Sequence, residues 1–113
     1  MRDEVRQRIA RIVTADPVVL FMKGTPLAPQ CGFSANVTRV LMQLGVAFSS
    51  VNVLEEPEIR EGVKAYADWP TIPQLYIGGE FVGGADIVRD MMATGELIGM
   101  LRAHHVALPG GTP

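Results

Sequence analysis

The sequence predicts an α/β domain in which a four-stranded mixed sheet is flanked by helices. Helix-like and strand-like hydrophobic patterns alternate along the chain, as is typical of this class. Two of the predicted strands are separated by a helical segment, so they are expected to run parallel. Two later strands flank Gly78-Gly79, a pair suited to a tight antiparallel hairpin. With 113 residues and 48% hydrophobic side chains, the chain is the size of one domain.

The first half of the chain predicts the order helix, strand, helix, strand. Apolar residues recur at helical spacing until Asp16-Pro17, where a proline ends the first helix. Residues 18–22 form a short apolar run, which is typical of a strand buried on both faces. A loop rich in Gly and Pro follows and contains Cys31. A second helix then ends at Gly45, and residues 48–53 favour a strand.

The second half predicts a helix, a hairpin and two more helices. The third helix begins at Pro57, because proline at the first helical position leaves no hydrogen bond unmade. Residues 75–77 and 81–82 form the two hairpin strands around the glycine pair. Further helices are expected at residues 86–92 and from residue 96 to about residue 105.

The hydrophobic pattern as a whole predicts a thioredoxin-like fold for residues 1–106, with residues 107–113 as a flexible C-terminal tail. No apolar stretch approaches the roughly 20 residues that span a bilayer, so no membrane partner is expected. A net charge of -2 without a basic run argues against a nucleic-acid partner. The charged first residues do not resemble a signal peptide, so we expect a soluble, cytoplasmic protein in a reducing compartment; a processed organellar form stays open.

Cys31 is the residue best placed to carry chemistry. It is the only cysteine, so the chain has no internal disulfide, and with His104 and His105 it cannot complete a four-ligand metal site. It lies just before a helix, whose unpaired N–H groups stabilise a thiolate, and Lys23 adds a cation nearby. The sequence therefore predicts a reactive Cys31 with a lowered pKa. An inert buried thiol is the alternative.

Three segments resemble the motifs of the monothiol glutaredoxins, in the same order. They are residues 23–34, which include Cys31-Gly-Phe-Ser34, residues 69–74, and residues 83–88. The resemblance extends over about residues 1–104 and implies a thioredoxin fold, glutathione binding and a [2Fe-2S] cluster held by Cys31 between two subunits. Ser34 stands where dithiol relatives carry a second cysteine, although its simplest role is a helix N-cap.

The resemblance also implies which residues meet glutathione. Lys23 and Arg60 would bind the glycyl carboxylate, and Asp86 would bind the ammonium group of the γ-glutamyl end. The backbone before a cis Pro73 would pair with the tripeptide as an added strand does. Ala85 departs from the family, in which Cys or Ser is common. The complete set is Lys23, Arg60, Thr71, Ile72, Pro73, Gly84, Ala85 and Asp86.

Each of these assignments has a simpler alternative. Lys23 and Arg60 are the kind of residue that is more often a solvated surface charge. Asp86 in a first helical turn can merely complement the helix dipole. An X–Pro bond is ordinarily trans. Trp69 is interpreted as a packing residue rather than a ligand contact.

Ligand arithmetic favours a carrier of iron–sulfur clusters. A [2Fe-2S] cluster generally needs four thiolate-type ligands, and one chain supplies one, so two subunits and two glutathiones are required. We therefore expect a monomer without cluster, a homodimer with it, and iron–sulfur acceptor proteins as partners. The alternatives are a glutathione-dependent oxidoreductase that deglutathionylates proteins, and a regulatory adaptor for a BolA-like partner. Enzymatic activity is expected to be weak at most.

Overall fold

The computed structural model describes residues 1–109, and the part of the predicted C-terminal tail at residues 110–113 lies outside them. Five α-helices, a short 3₁₀ turn and six strands follow one another in these residues: α1 (Asp3–Ala15), β1 (Val18–Met22), β2 (Gly24–Thr25), β3 (Ala28–Pro29), α2 (Gly32–Gln43), β4 (Ser49–Asn52), a 3₁₀ turn (Val53–Glu55), α3 (Pro57–Ala67), β5 (Gln74–Ile77), β6 (Glu80–Gly83), α4 (Ala85–Thr94) and α5 (Glu96–Ala103). No helix among them is long and apolar enough to cross a membrane.

Four strands form the predicted mixed sheet, and the structure gives their order as β4-β1-β5-β6. β1 pairs with β4 in parallel and with β5 in antiparallel orientation. β5 and β6 form the predicted hairpin. Gly78 and Gly79 connect them with φ angles of 59° and 78°, a region that glycine reaches without a steric penalty.

The central strand β1 is buried along its whole length, because both faces of the sheet are covered. Side chains alternate between faces along a strand, so Leu20 and Met22 contact one core and Val19 and Phe21 the other. The first core lies under α2, α4 and α5, and the second lies under α1 and α3. Helices therefore flank the sheet on both sides, and the predicted fold class is confirmed.

Three details differ from the sequence-based expectations. A two-stranded hairpin, β2–β3, occupies part of the predicted loop before Cys31. Val53 belongs to the 3₁₀ turn rather than to β4. Leu108 is only 6% exposed and packs in the core under α5, so the packed chain extends two residues beyond the predicted boundary at residue 106. The predicted tail is therefore anchored at Leu108 in its described part.

Candidate functional site

A cleft of about 450 Å³ lies where the Cys31 loop, α3, the segment before β5 and the start of α4 meet. The structure places every residue of the sequence-predicted set along this cleft. Its lining includes Lys23, Cys31, Arg60, Thr71, Ile72, Pro73, Gly84, Ala85 and Asp86. Residues from four separate parts of the sequence thus meet around one thiol.

Cys31 occupies the N-cap position of α2, directly before Gly32. Its pKa is lowered mainly by a hydrogen bond from the backbone N–H of Ser34, with further contributions from the Phe33 N–H, the positive charge of Lys23 and the Ser34 side chain. Partial burial acts in the opposite direction but does not prevail. The lowered pKa confirms the expectation drawn from the helix N-terminus. The thiol is partly exposed, so it is accessible to a reactant in the cleft.

Ser34 is fully buried in the first turn of α2. Its hydroxyl oxygen accepts a hydrogen bond of 3.1 Å from the backbone N–H of Lys23. Cys31 is the N-cap residue, so the simple interpretation of Ser34 as the N-cap is wrong. Ser34 instead connects the end of β1 to α2, and this keeps Lys23 close to the thiol.

Positive charge is concentrated on one wall of the cleft. Within residues 1–109, neither Lys23 nor Arg60 forms an ion pair, and the Nε atom of Arg60 is buried without a hydrogen-bond partner. Lys64, one helical turn after Arg60, also lines the cleft and has its Nζ atom 3.1 Å from Glu61. Lys64 is not among the residues predicted from the sequence, although its position four residues after Arg60 on a predicted helix places it on the same helix face.

Residues 69–73 form a second wall, and the Ile72–Pro73 peptide bond is cis, as the resemblance implied. Trp69 packs against Phe81 with ring centroids 5.6 Å apart, in agreement with a packing role. It also lines the cleft, and its indole Nε1 atom is buried without a hydrogen-bond partner among the described residues. Trp69 therefore both packs against Phe81 and lines the cleft.

The start of α4 forms a third part of the cleft lining. Gly84 is the N-cap residue, and a Cβ atom there would lie 3.2 Å from the Pro73 carbonyl oxygen and 3.3 Å from the Trp69 Nε1 atom, so a larger residue would crowd this corner. Asp86 lies in the first turn and is exposed, with its carboxylate 3.6 Å from Arg89. Free N–H groups at this helix end suit an anion, while Asp86 suits a cation.

The chemical character of the cleft follows from these walls. A partly exposed thiol with a lowered pKa shares the cleft with Lys23, Arg60 and the N-terminus of α4, which also carries an acidic side chain. Residues 1–109 contain no group of three or more His, Cys, Asp or Glu side chains arranged to hold a metal ion. The site can therefore offer one sulfur and a set of charge contacts for an extended zwitterionic ligand.

Comparison with known proteins agrees with this architecture. The family model described as Glutaredoxin matches residues 18–82. A Synechocystis protein described as an uncharacterized monothiol glutaredoxin ycf64-like is 54% identical over 101 residues, which cover 89% of this chain and 94% of that protein. The mitochondrial monothiol glutaredoxin-5 of Lachancea kluyveri is 52% identical over 109 residues, 94% of this chain and 76% of that protein.

Solved structures show the same fold. The solution structure of a monomeric truncated mutant of Trypanosoma brucei 1-C-Grx1 has a TM-score of 0.84 at 42% identity, covering 92% of this chain and 94% of that chain. The crystal structure of a buckwheat glutaredoxin–glutathione complex has a TM-score of 0.81 at 25% identity, covering 93% of this chain and 97% of that chain. The chain therefore belongs to the monothiol glutaredoxin family, with a thioredoxin-like fold.

Proposed function

We propose that the cleft binds glutathione and that the protein carries a [2Fe-2S] cluster, bridged between two subunits, to iron–sulfur acceptor proteins. The observation that carries the proposal is the meeting, in a single cleft, of one thiol of lowered pKa with two cations that form no ion pair within residues 1–109. Glutathione has one thiol, two carboxylates and one ammonium group. The bound tripeptide in the buckwheat structure supports the same ligand class in this chain.

Charge complementarity gives the orientation of the tripeptide. Its glycyl carboxylate would pair with Lys23 and Arg60, and its γ-glutamyl carboxylate would accept hydrogen bonds from the N–H groups at the start of α4. Asp86 would then pair with the ammonium group. In this orientation the cysteinyl part of the tripeptide lies between the two charged ends, beside Cys31.

The cluster is cargo rather than a resident cofactor, and the donor set of the chain fits it only in a dimer. Cys31 is the only cysteine of the chain, whereas a [2Fe-2S] cluster takes four thiolate-type ligands. Two Cys31 thiolates and two glutathione thiolates would complete the set. Bridging ligands would then supply most of the association, so we expect the apo protein to be a monomer and the loaded protein a homodimer.

The test is a single reconstitution with iron, sulfide and glutathione under low oxygen. The ultraviolet–visible spectrum, the iron and glutathione content and the sedimentation coefficient are measured on the same sample. We expect a dimer with two irons and two glutathiones, and no cluster on Cys31→Ser. A stable dimer without cluster, or a monomer that retains the full cluster, contradicts the bridging proposal.

The glutathione site has its own test. Lys23→Ala and Arg60→Ala should each weaken glutathione affinity clearly but incompletely, by about tenfold, because each removes one of two partly exposed partners of a carboxylate. Arg11→Ala is the matched control, since Arg11 is an exposed arginine of α1 outside the cleft. Equal affinities for all variants and the wild type would mean that the site is elsewhere.

A second function is favoured by the lowered pKa of Cys31. In a glutathione-dependent oxidoreductase, the Cys31 thiolate attacks the glutathione sulfur of a protein–glutathione disulfide, and the protein leaves as a thiolate. A glutathione thiolate then attacks the resulting mixed disulfide, which yields oxidised glutathione and restores the Cys31 thiolate. Rapid deglutathionylation by a colourless monomer would support this function over cluster transfer.

Both functions require a reduced Cys31, so we propose a reducing compartment for the protein. The cytoplasm meets this requirement. The mitochondrial label of the Lachancea kluyveri relative supports an organellar setting as well.

A further inference from the structure

Gln74, the first residue of β5, is a fully buried polar side chain directly behind the cleft. Its amide Nε2 donates hydrogen bonds to the carbonyl oxygens of Trp69 and Thr71, at 3.2 and 3.3 Å. Its Oε1 atom accepts a hydrogen bond of 3.3 Å from the Tyr76 hydroxyl. A buried amide without hydrogen-bond partners would lower stability, and here both the amide nitrogen and the amide oxygen have partners.

The two carbonyl groups that Gln74 binds belong to the segment that forms one wall of the cleft. Gln74 therefore holds the segment at both Trp69 and Thr71. This arrangement fixes the peptide plane between Thr71 and Ile72 more firmly than loop packing alone would, because a peptide group is planar and rotates as one unit.

The direction of the Thr71 carbonyl determines that of the next N–H group. Within residues 1–109, the only cis peptide bond is Ile72–Pro73, so the Thr71–Ile72 bond is trans and its C=O and N–H point in opposite directions. With the Thr71 carbonyl turned inward to Gln74, the Ile72 N–H points away from the interior. The Ile72 N–H forms no hydrogen bond with any described residue.

We propose that Gln74 is a positioning residue, which directs the Ile72 N–H into the cleft as a hydrogen-bond donor to the backbone of the bound tripeptide. The inference rests on the proposed function in one respect, that the ligand is glutathione. Gln74 itself touches no ligand. Its contribution is to hold the donor in place before binding, so that the ligand need not order the segment.

A purely structural role for Gln74 makes a different prediction. If the amide only satisfied two buried carbonyl groups, its loss would lower stability and leave glutathione affinity unchanged in the folded protein. The positioning role predicts weaker binding at temperatures where the variant is fully folded. Cys31 reactivity should not change, because the pKa of that thiol depends on the start of α2 and on Lys23.

The first measurement uses the wild type and reduced glutathione as the probe. Amide hydrogen exchange followed by nuclear magnetic resonance should show fast exchange at Ile72 in the free protein and slower exchange at saturating glutathione. Slow exchange at Ile72 in the free protein would overturn the inference. So would binding of glutathione without any change at this amide.

The second measurement compares variants. Gln74→Leu removes the two donors at similar size and should weaken glutathione affinity about tenfold, with an unchanged rate of Cys31 alkylation by iodoacetamide. If the leucine variant does not fold, the same two measurements are made on Gln74→Glu. Tyr76→Phe keeps both donors of Gln74 and should bind as the wild type does, and Leu101→Ala controls for lost stability at a buried site in α5.

The outcomes separate the two proposals. If the wild type binds glutathione and the Gln74 variants bind it equally well, the positioning role is wrong and the glutathione site stands. If the wild type binds no glutathione, the proposed function is wrong, and the positioning role, which rests on that ligand, is wrong with it.

Discussion

The Ser34 hydroxyl oxygen accepts a hydrogen bond from the backbone N–H of Lys23 at 3.1 Å, and this bond joins the residue directly after β1 to the first turn of α2. The same serine donates from its backbone to Cys31. Ser34 thus links the cation, the helix start and the thiol. With serine at this position, the chain has no second thiol near Cys31 and gains a buried hydrogen bond.

Ser34→Ala should lower the free energy of unfolding by about 1 kcal/mol, because the Lys23 N–H loses its acceptor. It should also raise the pKa of Cys31, since the hydroxyl is one of the groups that lower it. Chemical denaturation and the pH dependence of Cys31 alkylation measure the two effects. Thr38→Val, which removes a buried hydroxyl one turn later in α2, should leave the pKa of Cys31 as it is.

The pKa of Cys31 makes stability depend on pH in a defined direction. The folded pKa lies below that of the unfolded thiol, which is about 8.5, so the unfolded state holds the proton more strongly between the two values. The stabilisation is fully present above the unfolded pKa and is lost as the pH falls through the folded one. The stability of the wild type relative to Cys31→Ser should therefore rise towards pH 8.5 and then level off. A difference that is flat across this window would contradict the lowered pKa.

Asp86 and Arg89 are expected to affect glutathione affinity differently. Their ion pair is exposed on both sides, so it contributes little to stability, but Arg89 competes with a ligand ammonium group for the same carboxylate. Asp86→Asn should weaken glutathione binding severalfold, whereas Arg89→Gln should leave it unchanged or strengthen it. Calorimetric titration at low and high salt measures both. Weaker binding in the Arg89 variant would mean that Arg89 itself meets the ligand.

The order of the main helices and strands could be predicted because their apolar residues are periodic over several turns or strand positions. The β2–β3 hairpin could not, since its strands have only two residues each. Two local features define this hairpin. Gly24 has a φ of 89°, and the Thr25 hydroxyl oxygen accepts a hydrogen bond from the Ala28 N–H at 3.2 Å. Neither feature produces a hydrophobic pattern in the sequence.

The sequence motifs predicted the residues that line the candidate site, but not the buried groups that hold those residues in place. Cys31, Lys23 and Asp86 lie in segments whose residue types indicate chemistry. The role of Gln74 could not be predicted, because it depends on the folded chain bringing its amide to the carbonyl groups of two earlier residues. The burial of the Arg60 Nε atom, which has no hydrogen-bond partner within residues 1–109, is likewise a property of the folded chain. Such features are tertiary, so a single sequence gives no signal for them.

The last prediction concerns Gly62, which is buried where α3 meets α1. A Cβ atom there would lie 2.7 Å from Val5 Cγ1 and 2.9 Å from Ile9 Cδ1, so Gly62→Ala overpacks the contact. The better helix propensity of alanine, up to about 1 kcal/mol, acts against this, and overpacking costs about 1–3 kcal/mol. We expect a net loss of about 1 kcal/mol in the free energy of unfolding.

Gly99, in the middle of α5, is the matched control, because a Cβ atom there would have no described residue outside its own helix within 4 Å. Gly99→Ala should therefore stabilise the protein by up to about 1 kcal/mol through helix propensity alone. Thermal and denaturant unfolding of both variants give the comparison. Val5→Ala combined with Gly62→Ala should cost less than the sum of the single changes, because the shortened side chain removes the closest contact. If Gly62→Ala stabilises the protein as much as Gly99→Ala does, α1 and α3 are not in close contact at this glycine.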